Sequence, residues 1–243
     1  MNTLLAALPL SFFSELPQKF YDSFLLKGRY KYIITGLENT LLITIFAALI
    51  GILLGTLVAL IKVAHGNDHK KFRILNGICS LYLTVIRGTP AIVQLLIMYY
   101  IILSSTSIDK VTASILAFGI NSGAYVAEVI RSGIQSVDKG QIEAGRSLGL
   151  NGRDTMTKIV FPQALKNVLP AIGNEFITLL KETSVAGYIG VQDLTKGGDI
   201  IRSITYDAFT PLLTTAGVYL VIVIGLSAML SKLERGLHKS DNR

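Results

Sequence analysis

The sequence predicts an all-α integral membrane protein, and three observations lead to this fold class. Hydrophobic residues make up 51% of the 243 residues and charged residues only 16%, against about 25% charged in an average soluble domain. Two long stretches, 39–61 and 208–231, contain no charged residue, and a transmembrane helix needs about 20 predominantly apolar residues. Between them lie three further apolar stretches of helical length.

These stretches predict five transmembrane helices. In order, they are Asn39–Ile61, Leu75–Leu103, Val111–Val137, Ile159–Leu180 and Ala208–Ser231. We expect an N-terminal interfacial segment at 1–32, a transmembrane domain at 33–237 and a cytoplasmic tail at 238–243. The N-terminal segment is expected to form an amphipathic helix, because its large apolar residues from Phe13 to Phe24 recur at three- and four-residue spacing.

The distribution of basic residues predicts the orientation of these helices. The loops after the first and third spans and the C-terminal tail, together with Arg131 near the end of the third span, contain 13 Lys and Arg residues, and the opposite side contains 8. Cytoplasmic loops are enriched in these residues, so the N-terminus is expected outside and the C-terminus inside. The same asymmetry accounts for the net charge of +7, and no nucleic-acid partner is expected.

Small residues recur along one face of the first predicted span. Ala47, Gly51, Gly55 and Ala59 are four residues apart. Such a stripe lets a second helix approach closely, so we expect a tight helix–helix contact here. The alternative is that the glycines face lipid.

The predicted spans contain charged residues, among them Arg87, Glu128, Lys166 and Glu175. Each costs about 2.5–3.5 kcal/mol near the middle of a bilayer on insertion scales. These side chains are therefore expected to face the protein interior, water or one another. The second, third and fourth spans should then line a polar region that the first and fifth shield from lipid.

Polar residues accompany these charges in two stripes. The third span carries Asn121, Tyr125, Glu128 and Ser132 at helical spacing, and the fourth carries Asn167, Asn174, Thr178 and Lys181, with Glu175 beside them. Two interpretations remain open: hydrogen bonding between packed helices, or the lining of a pore.

The second span contains a proline that predicts a broken helix. Pro90 lacks a backbone N–H and disfavours helix at Thr89, so we expect Thr89 to cap a second half-helix that begins at Pro90. The positive end of that half-helix and Arg87 would attract a carboxylate. The alternative is an ordinary proline kink.

A zwitterion would suit this arrangement, with its carboxylate at Arg87 and its ammonium at Glu128 or Glu175. The candidate pore or substrate residues are Arg87, Thr89, Gln94, Asn121, Tyr125, Glu128, Asn174 and Glu175.

Motifs for nucleotide binding and hydrolysis are absent from the sequence. No GxxxxGK[ST], GxGxxG, HExxH or GxSxG pattern occurs. His65 and His69 flank residues typical of a turn, and no metal site or cofactor is expected. We therefore predict that the chain is not an enzyme, and that another chain or an ion gradient supplies energy.

Residues 143–162 carry a pattern found in a known family. Glu143 and Ala144 are followed by Gly149, then by Ile159, Phe161 and Pro162. This resembles the cytoplasmic loop of integral subunits of binding-protein-dependent ATP-binding cassette (ABC) importers, with departures at Gly145 and Phe161. "RGTPAIVQLL" and "NSGAYVAEVIRSGIQSVDKGQIEAGRSLGL" resemble the polar amino acid permeases of that superfamily.

The resemblance implies a type I ABC importer permease in the bacterial inner membrane, with five helices, N-out/C-in, and a short cytoplasmic coupling helix. The implied ATPase-docking residues are Gln141, Glu143, Ala144, Gly145, Arg146, Leu148 and Gly149. Locally, Gly149 suits a helix stop, Asn151–Gly152 a turn, and Asp154 the cap of the next helix.

The implied partners are an ABC ATPase subunit, an extracytoplasmic amino-acid-binding protein, the lipid bilayer and a second permease subunit, identical or paralogous. The identity of the amino acid stays open. An alternative is an ion-coupled secondary amino acid carrier that uses Glu128 and Glu175 as a proton relay.

Overall fold

A computed structural model describes residues 10–67, 70 and 72–238, and all the helices and connecting helical turns named here lie within these ranges. The helices are α1 (Leu10–Phe20), α2 (Tyr30–Asn67), α3 (Arg73–Arg87), α4 (Ala91–Ile97), α5 (Lys110–Gln135), α6 (Lys139–Ser147), α7 (Gly152–Thr155), α8 (Phe161–Glu182), α9 (Leu194–Thr205) and α10 (Phe209–His238). Turns of π-helix lie at Tyr21–Leu25, Met98–Ile102 and Met156–Val160, and 3-10 helices at Leu26–Gly28 and Thr183–Ile189. The start of the predicted N-terminal segment, His69 and the tail beyond residue 238 lie outside the described residues.

Three of the described helices, α2, α5 and α10, are long and apolar enough to cross a membrane. The bent pair formed by α3 with α4 and its π-helical turn makes a fourth if it counts as one span. α8 is not among them, because polar residues such as Lys166, Asn174 and Glu175 lower its hydropathy. The described residues form helices and no β-strand, so the predicted all-helical fold class is confirmed.

The small-residue stripe of α2 lies against α5. A β-carbon added at Gly51 would lie 2.8 Å from the Ser122 side chain, and one at Gly55 would lie 2.7 Å from Val126. Ala47 is also fully buried. Glycine at these positions lets the two backbones approach more closely than any other residue would allow. The prediction of a tight helix contact along this stripe is confirmed.

The second predicted span is broken at Pro90, and its two halves are bent by 109°. α3 ends at Arg87 and α4 begins at Ala91, with Pro90 in an extended conformation at the N-cap position. The predicted break is confirmed, but the assignment of Thr89 as the cap is wrong. The Thr89 hydroxyl instead donates to the carbonyl of Val85, 2.8 Å away on α3. The extended backbone of Pro90 moves the start of α4 one residue beyond the predicted position.

The half-helix α4 is anchored in the protein core. Leu95 is fully buried and packs in a cluster with Ile43 of α2, Phe118 of α5 and Leu179 of α8. This cluster fixes where the helix break lies relative to the central helix α5.

α9 is a short helix that the sequence analysis did not predict. The Asp193 side chain accepts hydrogen bonds from the backbone N–H of Lys196 (2.7 Å) and of Gly187 (2.8 Å), and so joins α9 to the preceding 3-10 helix. A β-carbon at Gly197 would lie 2.4 Å from the carbonyl oxygen of Tyr32. α9 therefore packs against the start of α2 at backbone contact distance.

Candidate functional site

Gln94 connects the two halves of the broken helix to the central helix. Its side-chain amide donates to the backbone oxygens of Ile86 (2.7 Å) and Thr89 (3.0 Å) and to the Thr89 hydroxyl (2.8 Å). Its oxygen accepts a hydrogen bond of 2.9 Å from the amide of Asn121 on α5. Three of the predicted site residues thus form one hydrogen-bonded group at the break.

Arg87, Tyr125 and Glu128 form a second group beside the break. The Arg87 guanidinium lies 3.8 Å from the Glu128 carboxylate and 5.8 Å from the centre of the Tyr125 ring. Glu128 is also bound by two nitrogens of Arg131, one of them at 3.0 Å. Two arginines around one carboxylate leave a local excess of positive charge, which suits an anionic ligand group.

Arg131 was missed by sequence reasoning. It lies three residues after Glu128 on α5, a spacing at which opposite charges meet on a helix surface. This spacing could have predicted the Glu128–Arg131 ion pair from the sequence. Arg131 also donates to the side-chain oxygen of Gln135 at 2.6 Å.

The predicted polar residues of α8 lie apart from these two groups. Glu175 is partly buried, and its carboxylate accepts a hydrogen bond of 3.3 Å from the hydroxyl of Ser122 on α5. Asn174, Thr178 and Lys181 are exposed, and no described contact joins Asn174 to the groups around Gln94 or Glu128. Within a single chain this stripe is uncovered.

α6 follows the C-terminal end of α5, and most of its residues are exposed. Asp138 caps the helix by accepting from the N–H of Gly140 at 2.8 Å, and Gly149 ends it with a φ of 83°. The exposed candidates are Gln141, Glu143, Ala144, Arg146, Leu148 and Gly149. Leu148 is 83% exposed, which is unusual for a large apolar side chain and is typical of a contact surface.

Gly145 is one of the predicted ATPase-docking residues, but in the structure it packs against its own chain. It is buried, and a β-carbon there would lie 2.7 Å from Ile159 and 3.3 Å from Thr155. Glycine at this position therefore lets α6 lie closely against the segment that leads into α8.

Two local predictions after α6 are wrong. Asn151 and Gly152 do not form a turn, and Asp154 is not the cap of the next helix. Instead Asn151 is the cap of α7, and its side-chain oxygen accepts from the N–H of Asp154 at 2.8 Å. The reason is that the helix begins at Gly152, two residues before the predicted cap.

Comparison with known proteins identifies the family. Residues 51–239 match the family described as the binding-protein-dependent transport system inner membrane component. The chain belongs to this family. The matched region runs from the middle of α2 to the end of α10, and it includes the helix break, the ion pairs of Glu128 and the exposed surface of α6.

Named relatives of this permease are amino acid transport components. The arginine transport system permease protein ArtQ of Bacillus subtilis (strain 168) is 38% identical over 212 residues, which cover 86% of this chain and 94% of ArtQ. The glutamine transport system permease protein GlnP of Escherichia coli (strain K12) is 35% identical over 206 residues, covering 84% of this chain and 91% of GlnP.

Solved structures agree with the family. A chain of an amino acid ABC transporter crystallised with histidines superposes with a TM-score of 0.80 at 44% identity, and the match covers 87% of this permease and 97% of that chain. An inward-facing structure of the MetNI methionine ABC transporter gives 0.72 at 22% identity, covering 86% and 97%. The second likeness shows the fold alone.

Family membership confirms the resemblance recognised at residues 143–162. The permease is a multi-pass protein of the inner membrane and a component of a binding-protein-dependent transport system. The alternative of an ion-coupled secondary carrier is not favoured.

Proposed function

We propose that the chain is the permease subunit of an ABC importer that moves a polar amino acid inward, and that it crosses the membrane five times with the N-terminus outside and the C-terminus inside. The five spans would be α2, the bent α3–α4 pair, α5, α8 and α10. In this arrangement, the polar residues that lower the hydropathy of α8 would line a pore. The exposed stripe of Asn174, Thr178 and Lys181 supports this assignment.

The observation that carries the proposal is the ion pair of Arg87 and Glu128 at the helix break. It places a cation and a carboxylate 3.8 Å apart on two helices, and Arg87 is 43% exposed, so a ligand can reach it. An amino acid carries an α-carboxylate and an α-ammonium group. In the proposed complex, the carboxylate would pair with Arg87 and the ammonium with Glu128. Arginine and glutamine appear in the names of two relatives, and both amino acids contain this zwitterionic group.

The remaining candidates have supporting roles in this proposal. Gln94, Thr89 and Asn121 would hold the bend in place, and Tyr125 would stack against the Arg87 guanidinium. Glu175 would offer a second carboxylate to the substrate ammonium. A second permease subunit, identical or paralogous, would face Asn174 and complete the pore.

The exposed face of α6 would dock into an ABC ATPase subunit, which supplies the nucleotide site that this chain is proposed to lack. Glu143, Arg146 and Leu148 offer a carboxylate, a guanidinium and an apolar side chain on this face. An extracytoplasmic amino-acid-binding protein would deliver substrate to the opposite side.

Substrate identity can be tested in reconstituted vesicles that contain the permease and its ATPase. ATP hydrolysis is measured with binding protein loaded in turn with arginine, glutamine and other polar amino acids. We expect stimulation by a restricted set, and we expect Arg87→Ala to abolish uptake at substrate concentrations that saturate the wild type. Arg235→Ala, which removes an exposed charge near the end of α10, is the matched control. Unchanged uptake and substrate affinity in Arg87→Ala would contradict the proposed site.

ATPase docking can be tested separately by co-purification. Glu143→Lys reverses one charge on the exposed face of α6 and should release the ATPase subunit. Glu234→Lys makes the same change at an exposed position on α10 and should retain it. Equal retention in both variants would show that α6 is not the docking surface.

A further inference from the structure

A cavity of about 290 Å³ lies where the 3-10 helix Thr183–Ile189 meets α9 and the first turn of α10. It is separate from the helix break and from the exposed face of α6. Its volume is close to the lower limit for small-molecule sites, so it suits a ligand the size of a single amino acid. The lining includes Ser184, Tyr188, Thr195, Lys196, Asp199 and Leu212.

The cavity presents a cation and a carboxylate side by side. The Lys196 ammonium donates a hydrogen bond of 2.9 Å to Asp199, and the two side chains are 41% and 35% exposed, so a ligand can reach both. Arg202 lies outside the described lining and donates to Asp199 at 2.8 Å. The hydrogen bonds of Lys196 and then of Arg202 hold the pKa of Asp199 below its ordinary value, which keeps this carboxylate charged at neutral pH.

Hydroxyl groups accompany this ion pair. Ser184 is partly buried, and its hydroxyl makes no hydrogen bond within the part of the chain that the structure describes. The Thr195 hydroxyl lies 3.2 Å from that of Tyr219 on α10, and Tyr188 is 68% exposed. A hydroxyl can both donate and accept, so these groups can bond the further polar atoms of a ligand.

The cavity lies at one end of the exposed polar stripe of α8. Lys181 is the last residue of that stripe, and Ser184 follows it by about one turn of the 3-10 helix that continues α8. In the orientation proposed above, this end of α8 is extracytoplasmic, because α8 begins on the side of α6. An amino acid released by the binding protein would therefore reach the cavity before it reaches the rest of the stripe.

We propose that this cavity is an extracytoplasmic entry site for an amino acid, whose α-carboxylate binds Lys196 and whose α-ammonium binds Asp199. An anionic ligand would meet the like charge of Asp199, and a cationic ligand that of Lys196, so the pair selects a ligand that carries both signs. The inference rests on the proposed function. The phosphoethanolamine headgroup of a lipid shares the zwitterionic chemistry, and the experiment separates these two sources.

Protection of an introduced thiol tests the site. The single cysteine of the chain, Cys79, is buried, and Ser184→Cys in a Cys79→Ala background places one reactive thiol in the cavity. The permease and its ATPase subunit are reconstituted in phosphatidylcholine nanodiscs, and the rate of alkylation by N-ethylmaleimide is measured with each polar amino acid in turn. At about ten times the half-protecting concentration, a bound amino acid should slow alkylation about tenfold. Ser203→Cys, at an exposed position of α9 outside the described lining, should stay unprotected.

Lys196→Met should raise the half-protecting concentration about tenfold, because a hydrogen bond to a charged group is lost. Lys232→Met, an equal loss of charge on α10, should leave it unchanged. If Lys196→Met does not fold, as judged by gel filtration, Asp199→Asn is the second variant and should give a similar rise. The amide and the Nα-acetyl derivative of the protecting amino acid each lack one charge and should protect about tenfold less well.

Three results would overturn the proposal: no protection by any polar amino acid, undiminished protection in the folded variant, or equal protection by the derivatives with one charge. Slower alkylation in nanodiscs that contain phosphatidylethanolamine, with no further effect of amino acids, would assign the cavity to a lipid headgroup and overturn it as well.

Arg87→Ala separates this inference from the proposed function. It should abolish uptake while the thiol at position 184 is still protected, because Arg87 is not part of the described lining. Unchanged uptake in Arg87→Ala would contradict the substrate site at the helix break and leave the entry site standing. Absent protection with normal uptake in the wild type would contradict the entry site alone.

Discussion

Asn121 donates a hydrogen bond of 2.9 Å to Gln94, and this contact fixes the broken helix to the centre of the fold. The amide of Gln94 in turn donates to the backbone oxygens of Ile86, in the last turn of α3, and of Thr89, in the break that follows it. One side chain on α4 thus binds both α3 and α5. The 109° bend is held by side-chain hydrogen bonds as well as by the proline that interrupts the backbone.

Gln94→Leu should therefore destabilise the bend. The change removes every hydrogen bond of the amide while keeping a side chain of similar size, and it leaves the side-chain amide of the buried Asn121 without this partner. Loss of a partner by a buried polar group costs about 1–3 kcal/mol. The measurement is the apparent free energy of unfolding in detergent.

Gln163→Leu is the matched control, since Gln163 is exposed and its amide bonds only within its own helical segment in the described contacts. Gln94→Glu separates the two functions of the amide, because a carboxylate still accepts from Asn121 but cannot donate to α3. Equal stability of Gln94→Leu and Gln163→Leu would contradict the role given to Gln94.

Arg87→Gln should reduce transport far more than it reduces stability. The Arg87–Glu128 contact is long and partly exposed, and such pairs contribute about 0–1 kcal/mol to stability. The proposed substrate carboxylate would lose its cation completely. Uptake in vesicles and thermal unfolding, measured on the same preparation, separate the two effects.

Glu128→Gln tests the second partner of the Arg87–Glu128 ion pair. It leaves Arg87 and Arg131 without their shared carboxylate, so its stability loss should exceed that of Arg87→Gln. If uptake in both variants simply follows the loss of folded protein, the Arg87–Glu128 pair is a packing element and not a substrate site.

Local chemistry made much of the architecture predictable. Pro90 excludes a continuous helix through its position whatever surrounds it. Glycines such as Gly51 and Gly55 in an apolar stretch indicate a close helix contact without revealing the partner. Gly149 ends α6 as predicted, because glycine adopts its positive φ at little cost.

Other features depend on residues that are distant in sequence. α9 is short and polar, and it is positioned by Asp193 at its cap and by the contact of Gly197 with Tyr32. The hydrogen bonds of Gln94 exist only because the bend brings α3 beside α4. The start of α4 at Ala91 follows from the extended backbone of Pro90, which the residue pattern does not specify.

Gly145→Ala should disturb the attachment of α6. A methyl group there would lie 2.7 Å from the Cδ1 of Ile159, so α6 must move or Ile159 must change rotamer. Overpacking of this kind costs about 1–3 kcal/mol. We expect weaker stimulation of ATP hydrolysis by loaded binding protein.

Ile159→Val should restore function in the Gly145→Ala background, because it removes the contacting methyl group. Gly152→Ala is the control, since a β-carbon there meets its nearest contact only at 3.9 Å. Full activity of Gly145→Ala alone would show that α6 tolerates displacement.

Asp109, which precedes the span α5, should make stability depend on pH in the acid range. Its carboxylate accepts from the hydroxyl of Thr112 at 2.6 Å and from the backbone N–H groups of Thr112 and Val111. The Thr112 hydroxyl is the largest cause that lowers the pKa of Asp109 below its ordinary value of 3.8, and the backbone donors add to it. A lowered pKa means that the stabilisation is complete above about pH 4 and is lost as the pH falls through the folded-state value.

Asp109→Ala should therefore lower the free energy of unfolding by about 1 kcal/mol at neutral pH, the usual contribution of a helix cap. The difference from the wild type should shrink as the pH falls through the lowered pKa of Asp109, where the wild-type carboxylate becomes protonated. Thr112→Val is the informative companion, because it removes the hydroxyl donor while keeping the backbone cap, and it should shift the acid transition to higher pH. Thermal unfolding across this pH range measures both effects. A pH-independent difference between the wild type and Asp109→Ala would mean that the ionised carboxylate contributes nothing beyond its shape.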